Sequence, residues 1–278
     1  EYPAFRHSHL LQGSEMNHIK PFKICGNIYF VGTEPASSHL IATEEGLILL
    51  DSGYPHTLHH VIESIWELGF DLRDIRYVIH SHGHYDHLGA TGHLLELTHA
   101  ETFLGADDID YANGTLDLTW ARELGFAYTE TFEPDHALHD GDIIRLGSTE
   151  ILCLSTPGHT PGTMSFFFDT EEKGVKYRAA MHGGVGVNSM TAEFLNRYGL
   201  SFDCREKFFT GLERLKRERV DVPLGNHVQC NDTLGKAARI GPDTGNPFIA
   251  PEEWIPFLDA CAERLRKQIA AEQESRPV

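Results

Sequence analysis

The chain has 278 residues, 41% of them hydrophobic and 23% charged, and 23 Lys and Arg against 41 Asp and Glu give a formal charge of −18. This is the composition of a soluble, globular chain with a large core, and no apolar run approaches the ~20 residues of a membrane span. The acidic excess argues against nucleic acid or an anionic membrane as partner, because either would be repelled; a small-molecule substrate is the expected ligand, and the oligomeric state is left open.

Cys25, Cys153, Cys204, Cys230 and Cys261 show no C-x-x-C spacing. They suggest no structural zinc knuckle and point to a reducing compartment. The chain begins at Glu1 rather than Met, which reads as removal of a preceding segment. Any export signal would lie in that segment, so the compartment, cytoplasmic or exported, is not assigned.

Residues 1–21 are polar and irregular and read as an arm on a single domain spanning 22–278, with His7, His9 and His18 incidental. Short strands are expected at 22–25, 27–31, 38–42 and 47–50, separated by glycine turns. Asp51 then ends a buried strand, where its carboxylate either orients neighbouring groups by hydrogen bonds or forms an Asx turn. An amphipathic helix over 57–68 carries Leu58, Val61, Ile62, Ile65 and Leu68 on one face and stops at Gly69. A buried strand at 76–80 and a helix over 88–98 follow, then a short strand at 101–104.

Residues 105–137 are acidic and mixed, with one helical stretch around 118–124, and read as an excursion near a cleft mouth. Leu116, Trp120, Phe126, Tyr128 and Phe132 either line a substrate groove there or pack the excursion itself. Strands at 142–146 and 150–154 pair across Gly147, and a loop with two prolines and two glycines, 155–162, holds His159 in place. A hairpin of 163–168 with 175–181 ends at His182-Gly183-Gly184; helices at 204–217 and 251–268 flank a strand at 220–224 that runs into Gly225-Asn226-His227. Two similar halves, each passing from strands into helices, imply an α/β (αββα) fold: a two-sheet sandwich flanked by helices, with its cleft along one edge.

The densest chemistry lies between strand 76–80 and helix 88–98, in the run His80-Ser-His-Gly-His-Tyr-Asp-His-Leu-Gly89. His80, His82, His84, Asp86 and His87 could all face one point there, at the kind of strand-to-helix turn where open α/β sheets bind ligands. Alternate side chains of an extended turn share a face, so His82 and His84 can grip one metal ion while Asp86 and His87, past the bend, grip a neighbour. Imidazoles with one carboxylate suit zinc best, with iron, manganese and cobalt open. A histidine-rich surface turn is the plain alternative; imidazoles packed this densely without a metal to offset their repulsion make it the weaker one.

The His82-x-His84-x-Asp86-His87 run, the loop Gly158-His-Thr-Pro-Gly162, Asp51 at a strand end and His227 after a late strand together resemble the metallo-β-lactamase superfamily, over nearly the whole chain from about Phe22. Val31-Gly-Thr33 with Ser38-His-Leu-Ile41, the 68–75 link and Asn246-Pro-Phe248 look like the third subclass of class B β-lactamases. The resemblance implies two Zn2+ ions, the first held by His82, His84 and His159 and the second by Asp86, His87 and His227. It further implies a zinc-bound hydroxide attacking the carbonyl of a β-lactam ring, with Asp86 holding the hydroxide and passing a proton, and so an antibiotic-resistance enzyme. Superfamily members such as glyoxalase II carry a metal-bridging aspartate on the strand that here ends at His182-Gly183-Gly184, where this chain has no carboxylate. That departure favours the β-lactamase branch; a lactonase, thioesterase or other ester hydrolase on the same metal site is the alternative, and a scaffold with a residual site the third reading. His182 is expected to sit beside the ligands without binding metal, with substrate contact or ligand replacement open, and the loops 105–137 and 185–203 are expected to choose the substrate.

Overall fold

A computed structural model describes residues 18–241 and 245–274. Apolar segments set between glycine turns make β1 (Phe22–Cys25), β2 (Ile28–Phe30), β3 (His39–Thr43) and β4 (Gly46–Leu50), an antiparallel meander. Then β5 (Ile75–Ile79), β6 (Glu101–Gly105) and β7 (His136–Leu138) add in parallel, giving a sheet whose strands lie in chain order from β1 to β7. Parallel neighbours require crossovers. These are α1 (Leu58–Glu67), the pair α2 (Tyr85–Leu88) and α3 (Thr91–Leu97), and the stretch that holds α4 (Ile109–Ala112).

The second sheet contains β8 (Ile143–Leu146), β9 (Thr149–Ser155), β10 (Met164–Glu172), β11 (Val175–Met181) and β12 (Val222–Leu224), in the order β12-β11-β10-β9-β8. Only β11 and β12 run parallel, joined through α5 (Ala192–Tyr198) and α6 (Asp203–Leu215); α7 (Thr233–Ala238) and α8 (Trp254–Glu274) complete the chain.

The period-2 alternation of strand side chains builds the layers. Ile48 and Leu50 of β4 meet Ile151, Phe166, Phe168 and Met181 between the sheets, while Leu49, Val78 and Leu40 face Val61, Ile65 and Leu94 on α1 and α3. On the far side Phe167 and Ala180 pack on Phe208 and Leu212 of α6 and on Trp254, Leu258 and Leu265 of α8. This is the helix–sheet–sheet–helix sandwich that the sequence pattern implies. Among the described residues no helix is long and apolar enough to cross a membrane.

Several elements differ from expectation. The helix expected over 88–98 forms only as α3, after the end of α2, because the Ala90 N–H leaves the helical ladder to donate to the Gly53 carbonyl at 2.9 Å. Around 118–124 only a 3-10 turn, Arg122–Leu124, forms, after Trp120 takes a left-handed φ of 69° that ends regular structure. Short α5 and α7 and strand β7 lie outside the expected elements; α5 does carry its own start and stop signals, a Thr191 side chain capping the Phe194 N–H and Gly199 in a left-handed conformation. Of the expected arm, residues 1–17 with His7 and His9 lie outside the described residues, and His18 meets Ser64 Oγ of α1 at 3.1 Å.

All the chemistry collects at one edge. Asp51 follows β4, the histidine hook follows β5, Asp108 follows β6, His159 lies between β9 and β10, and His227 follows β12.

Candidate metal centre

The hook bends over 81–83 and enters α2 after an extended His84 (φ −84°, ψ 152°), so His82 and His84 precede the helix while Asp86 and His87 lie within α2. Two separate loops close on it. His159 brings Nε2 to 3.1 Å from His82 Nε2, with its ring centre 4.4 Å from that of His84. His227 brings Nε2 to 3.4 Å from His87 Nε2 and 3.7 Å from Asp86 Oδ2, which is itself 3.3 Å from His87 Nε2. Ligand-capable atoms of His82, His84 and His159 lie within 4.8 Å of one another, as do those of His82, Asp86 and His87. The six residues are therefore gathered at one point, four of them buried and Asp86 and His227 half-buried.

The remaining ring nitrogens show which atoms face inward. His159 Nδ1 donates to the Gly186 carbonyl at 2.9 Å, His227 Nδ1 to the Pro35 carbonyl at 2.7 Å, and His87 Nδ1 to Asp51 Oδ2 at 2.7 Å. His82 Nδ1 donates to Ser81 Oγ at 3.0 Å, whose own proton goes to Asp51 Oδ2 at 2.7 Å. For His82, His159 and His227 the acceptor fixes a tautomer that leaves an Nε2 lone pair turned toward its neighbours, the arrangement in which histidine binds metal, while His87 turns its Nε2 toward Asp86. Lone pairs facing one another at such distances repel, and a shared cation removes the repulsion. The donor set fits zinc.

Electrostatics agree with neutral rings on one side and a charged pair on the other. Burial, reinforced by the neighbouring imidazoles, holds His82 and His159 well below the usual histidine range and lowers His84 to about 4. Burial likewise lowers His227, with His87 adding to it. His87 goes the other way: burial opposes its charge, but Asp86 and Asp51 together raise it to about 10. For Asp86 burial favours the neutral acid and is outweighed by His87, His227 and His84, which hold it far below the carboxylate range.

Asp51 adopts a left-handed φ of 60°, which aspartate tolerates better than most residues. Its Oδ1 accepts from Ser81 N at 2.7 Å, and Oδ2 from Ser81 Oγ and His87 Nδ1, so the fully buried carboxylate ties the tip of β4 to the hook. His80 does not face the point where its neighbours meet. Its Nδ1 bonds the Phe103 carbonyl at 3.0 Å and Nε2 the Thr91 hydroxyl at 2.7 Å, bracing β5 to β6 and α3. His182 also points elsewhere, into the helix layer, with Nδ1 3.2 Å from Ser165 Oγ and its ring 6.0 Å from that of Phe208 and 6.4 Å from that of Phe257. No hydrogen bond or ring contact joins it to the six among the described residues, its Nε2 is buried without a hydrogen-bond partner, and burial lowers it to about 3. The strand order explains this: Met181 faces the space between the sheets, so the next residue faces out.

Asp108 was hidden within the acidic excursion. It is fully buried, Oδ2 accepting from Gly83 N at 2.7 Å and Thr160 Oγ1 at 2.6 Å and Oδ1 from Gly162 N at 2.7 Å, while burial raises its carboxyl to about 6 against those donors. Its one sequence signal is its place just past a parallel strand, like Asp51.

A cavity of about 160 Å³ opens beside His84 and His159, lined by Tyr111, Leu118, Phe194 and Leu200, with Lys207 among its polar residues. Of the aromatic residues expected near a groove, Trp120 stands 6.1 Å from His84 and 4.7 Å from Phe194. Phe126 and Tyr128 pack around Tyr85 and Phe132 against His80, while Leu116 is exposed.

A sequence profile of the metallo-beta-lactamase superfamily matches residues 31–172. Among solved structures, the chain is similar to the native FEZ-1 metallo-beta-lactamase from Legionella gormanii, with 28% identity and a TM-score of 0.84 over 94% of this chain and 98% of that one. It is similar also to BJP-1, a subclass B3 metallo-beta-lactamase of Bradyrhizobium japonicum, with 25% identity and a TM-score of 0.83 over the same shares. Among curated proteins it is 27% identical over 157 residues to the probable metallo-hydrolase YflN of Bacillus subtilis, covering 51% of this chain and 56% of that protein. It is 24% identical over 163 residues to the N-acyl homoserine lactonase AiiA of Bacillus thuringiensis subsp. kurstaki, covering 50% and 60%. The chain thus spans little more than half the length of these curated relatives.

Proposed function

This chain belongs to the metallo-beta-lactamase superfamily, and from that premise we propose that it is a di-zinc hydrolase that opens the ring of a β-lactam. The observation that carries the proposal is the convergence of His159 and His227 on the hook; in this reading His82, His84 and His159 hold one metal, and Asp86, His87 and His227 the other. Zinc bound there supplies a water acidified towards a pKa of ~7 and an electrophile for the carbonyl under attack. The chain supplies the rest. Asp86 orients the attacking water through its free oxygen and passes the proton on to the departing ring nitrogen. Asp51 and the Gly186 and Pro35 carbonyls keep the imidazoles aimed. The apolar wall of Tyr111, Leu118 and Phe194 receives a ring substituent beside the metals.

The end of β11 supports a lactam over substrates handled by a bridging aspartate. The strand ends at Met181 and runs into His182-Gly183-Gly184, which offer no carboxylate, and a Cβ at Gly183 would lie 1.8 Å from the Met164 carbonyl. The N-acyl homoserine lactonase relative favours a second reading, opening of a cyclic ester at the same site.

Zinc-loaded protein assayed with a penicillin, a carbapenem and an N-acyl homoserine lactone, beside a His82→Ala control, separates the two. Turnover of a β-lactam is expected, and with it raised resistance in a susceptible strain expressing the chain. Opening of the lactone alone would replace the first reading with the second. Zinc uptake without turnover of any of the three would remove both.

A further inference from the structure

We propose that Asp108 is a positioning residue that sets the spacing of one metal position only, the one formed by His82, His84 and His159. The inference rests on the two-metal reading above and assigns its halves to different carboxylates.

The hydrogen bonds carry it. Gly83, whose N–H donates to Asp108 Oδ2 at 2.7 Å, is the residue between His82 and His84; Thr160, whose hydroxyl donates to the same oxygen at 2.6 Å, follows His159. Gly162 N–H, from the same loop as His159, donates to Oδ1 at 2.7 Å. One buried carboxylate is thus bonded to both chain segments that bring the three imidazoles, which meet across 77 residues of sequence. Among the described residues, no hydrogen bond from Asp108 reaches Asp86, His87, His227 or their chain neighbours. Asp51 reaches His87 directly, and His82 through the Ser81 N–H and hydroxyl.

Packing shows how closely the segments are drawn together. A Cβ at Gly83 would lie 2.9 Å from the Tyr111 ring and 3.2 Å from Asp108 Cβ; one at Gly162 would lie 2.6 Å from Asp108 N and 2.7 Å from its Cγ. The glycines let both loops close on the acid, and the fit leaves no space for a longer side chain. Only a carboxylate can accept all three bonds. An asparagine amide has one acceptor oxygen, and its NH2 would confront either the Gly162 N–H or the pair formed by Gly83 N–H and the Thr160 hydroxyl. Loss of the anion therefore frees the hook from the 158–162 loop, and His82 and His84 from His159.

The test measures cobalt(II) affinity, by chelator competition and the visible bands of the bound ion, in two backgrounds of the full chain. His227→Ala leaves the His82, His84 and His159 position intact, and His159→Ala leaves the other. Asp108→Asn should weaken cobalt binding ~10- to 100-fold in the first background and leave it within about twofold in the second. Thr160→Val, which removes one donor at nearly constant volume, should show the same selectivity at smaller amplitude, and reads the effect if Asp108→Asn fails to fold. Equal loss in both backgrounds, or none in either, would overturn the proposal while leaving the two-metal reading intact. A parent chain that binds no cobalt would overturn the two-metal reading and the proposal with it.

Discussion

The hook and the two loops that close on it reach the same centre by different means. The hook contributes four of the six donors within six consecutive residues, and buried carboxylates hold it, Asp51 at His87 and Asp108 at Gly83. His159 and His227 arrive singly, separated by 77 and 140 residues from their partners, and backbone carbonyls of Gly186 and Pro35 aim their rings. A carboxylate that holds a ring can be altered one atom at a time by mutation. A backbone carbonyl cannot, so the aim of the lone rings depends on the whole course of their loops. Local clustering supplies most of the candidate ligands, but the proposed centre is complete only where long-range packing delivers the last two.

Removing the metal should abolish the difference between the regions and have the largest effect. Dialysis against a strong chelator is expected to eliminate turnover and lower the melting temperature, with both restored by zinc, because metal held only by the folded chain stabilises it. His159→Ala and His227→Ala should each bring turnover to background as completely as His82→Ala. Activity surviving in His227→Ala alone would show that the loops are unequal and that one metal suffices.

Asp51→Asn comes next. It retains the shape of the tie to the hook but removes the charge that polarises His87, and a loss of ~10- to 100-fold in metal affinity is expected, read by zinc competition. Ser81→Ala should cost less, about 1–3 kcal/mol of folding stability from the His82 Nδ1–H left without its acceptor, measured by denaturant unfolding, with a modest fall in turnover.

The smallest effect on turnover is expected at His182, outside both regions. Its folded-state pKa of about 3 lies below the ordinary 6.5, so between these values the unfolded chain binds a proton that the folded one does not. Stability is full above pH 6.5 and falls as pH drops, by about 1.4 kcal/mol per unit. His182→Leu should lessen the acid slope in urea melts between pH 7 and 5 by one proton's share, the other buried histidines keeping the rest, and leave kcat at pH 7.5 unchanged. A large fall in kcat would return His182 to the site.

How far the centre could be read in advance followed from how local each part is. His82, His84, Asp86 and His87 stand together in the chain and announce themselves. His80 shares their run and yet braces β5 to β6 and α3, because the residue at the strand end still obeys the alternation of the sheet. Asp108 is hard to single out from Asp107 and Asp110, which share its place just past a parallel strand and differ from it in burial. The break after Gly89 reads as continuous helix because the apolar spacing runs across it, and only the bond of Ala90 N–H to the distant Gly53 carbonyl divides it.

By itself the sequence determined the alternation that makes two sheets with helices outside them, the hook, and the lack of a carboxylate after β11. Tertiary structure alone decided which of 18 histidines meet, and that Asp51 and Asp108 are the acids shut in beneath the hook. Periodicity and adjacency are properties of neighbouring residues. Convergence depends on how the two sheets stack, and no short stretch of chain contains that information.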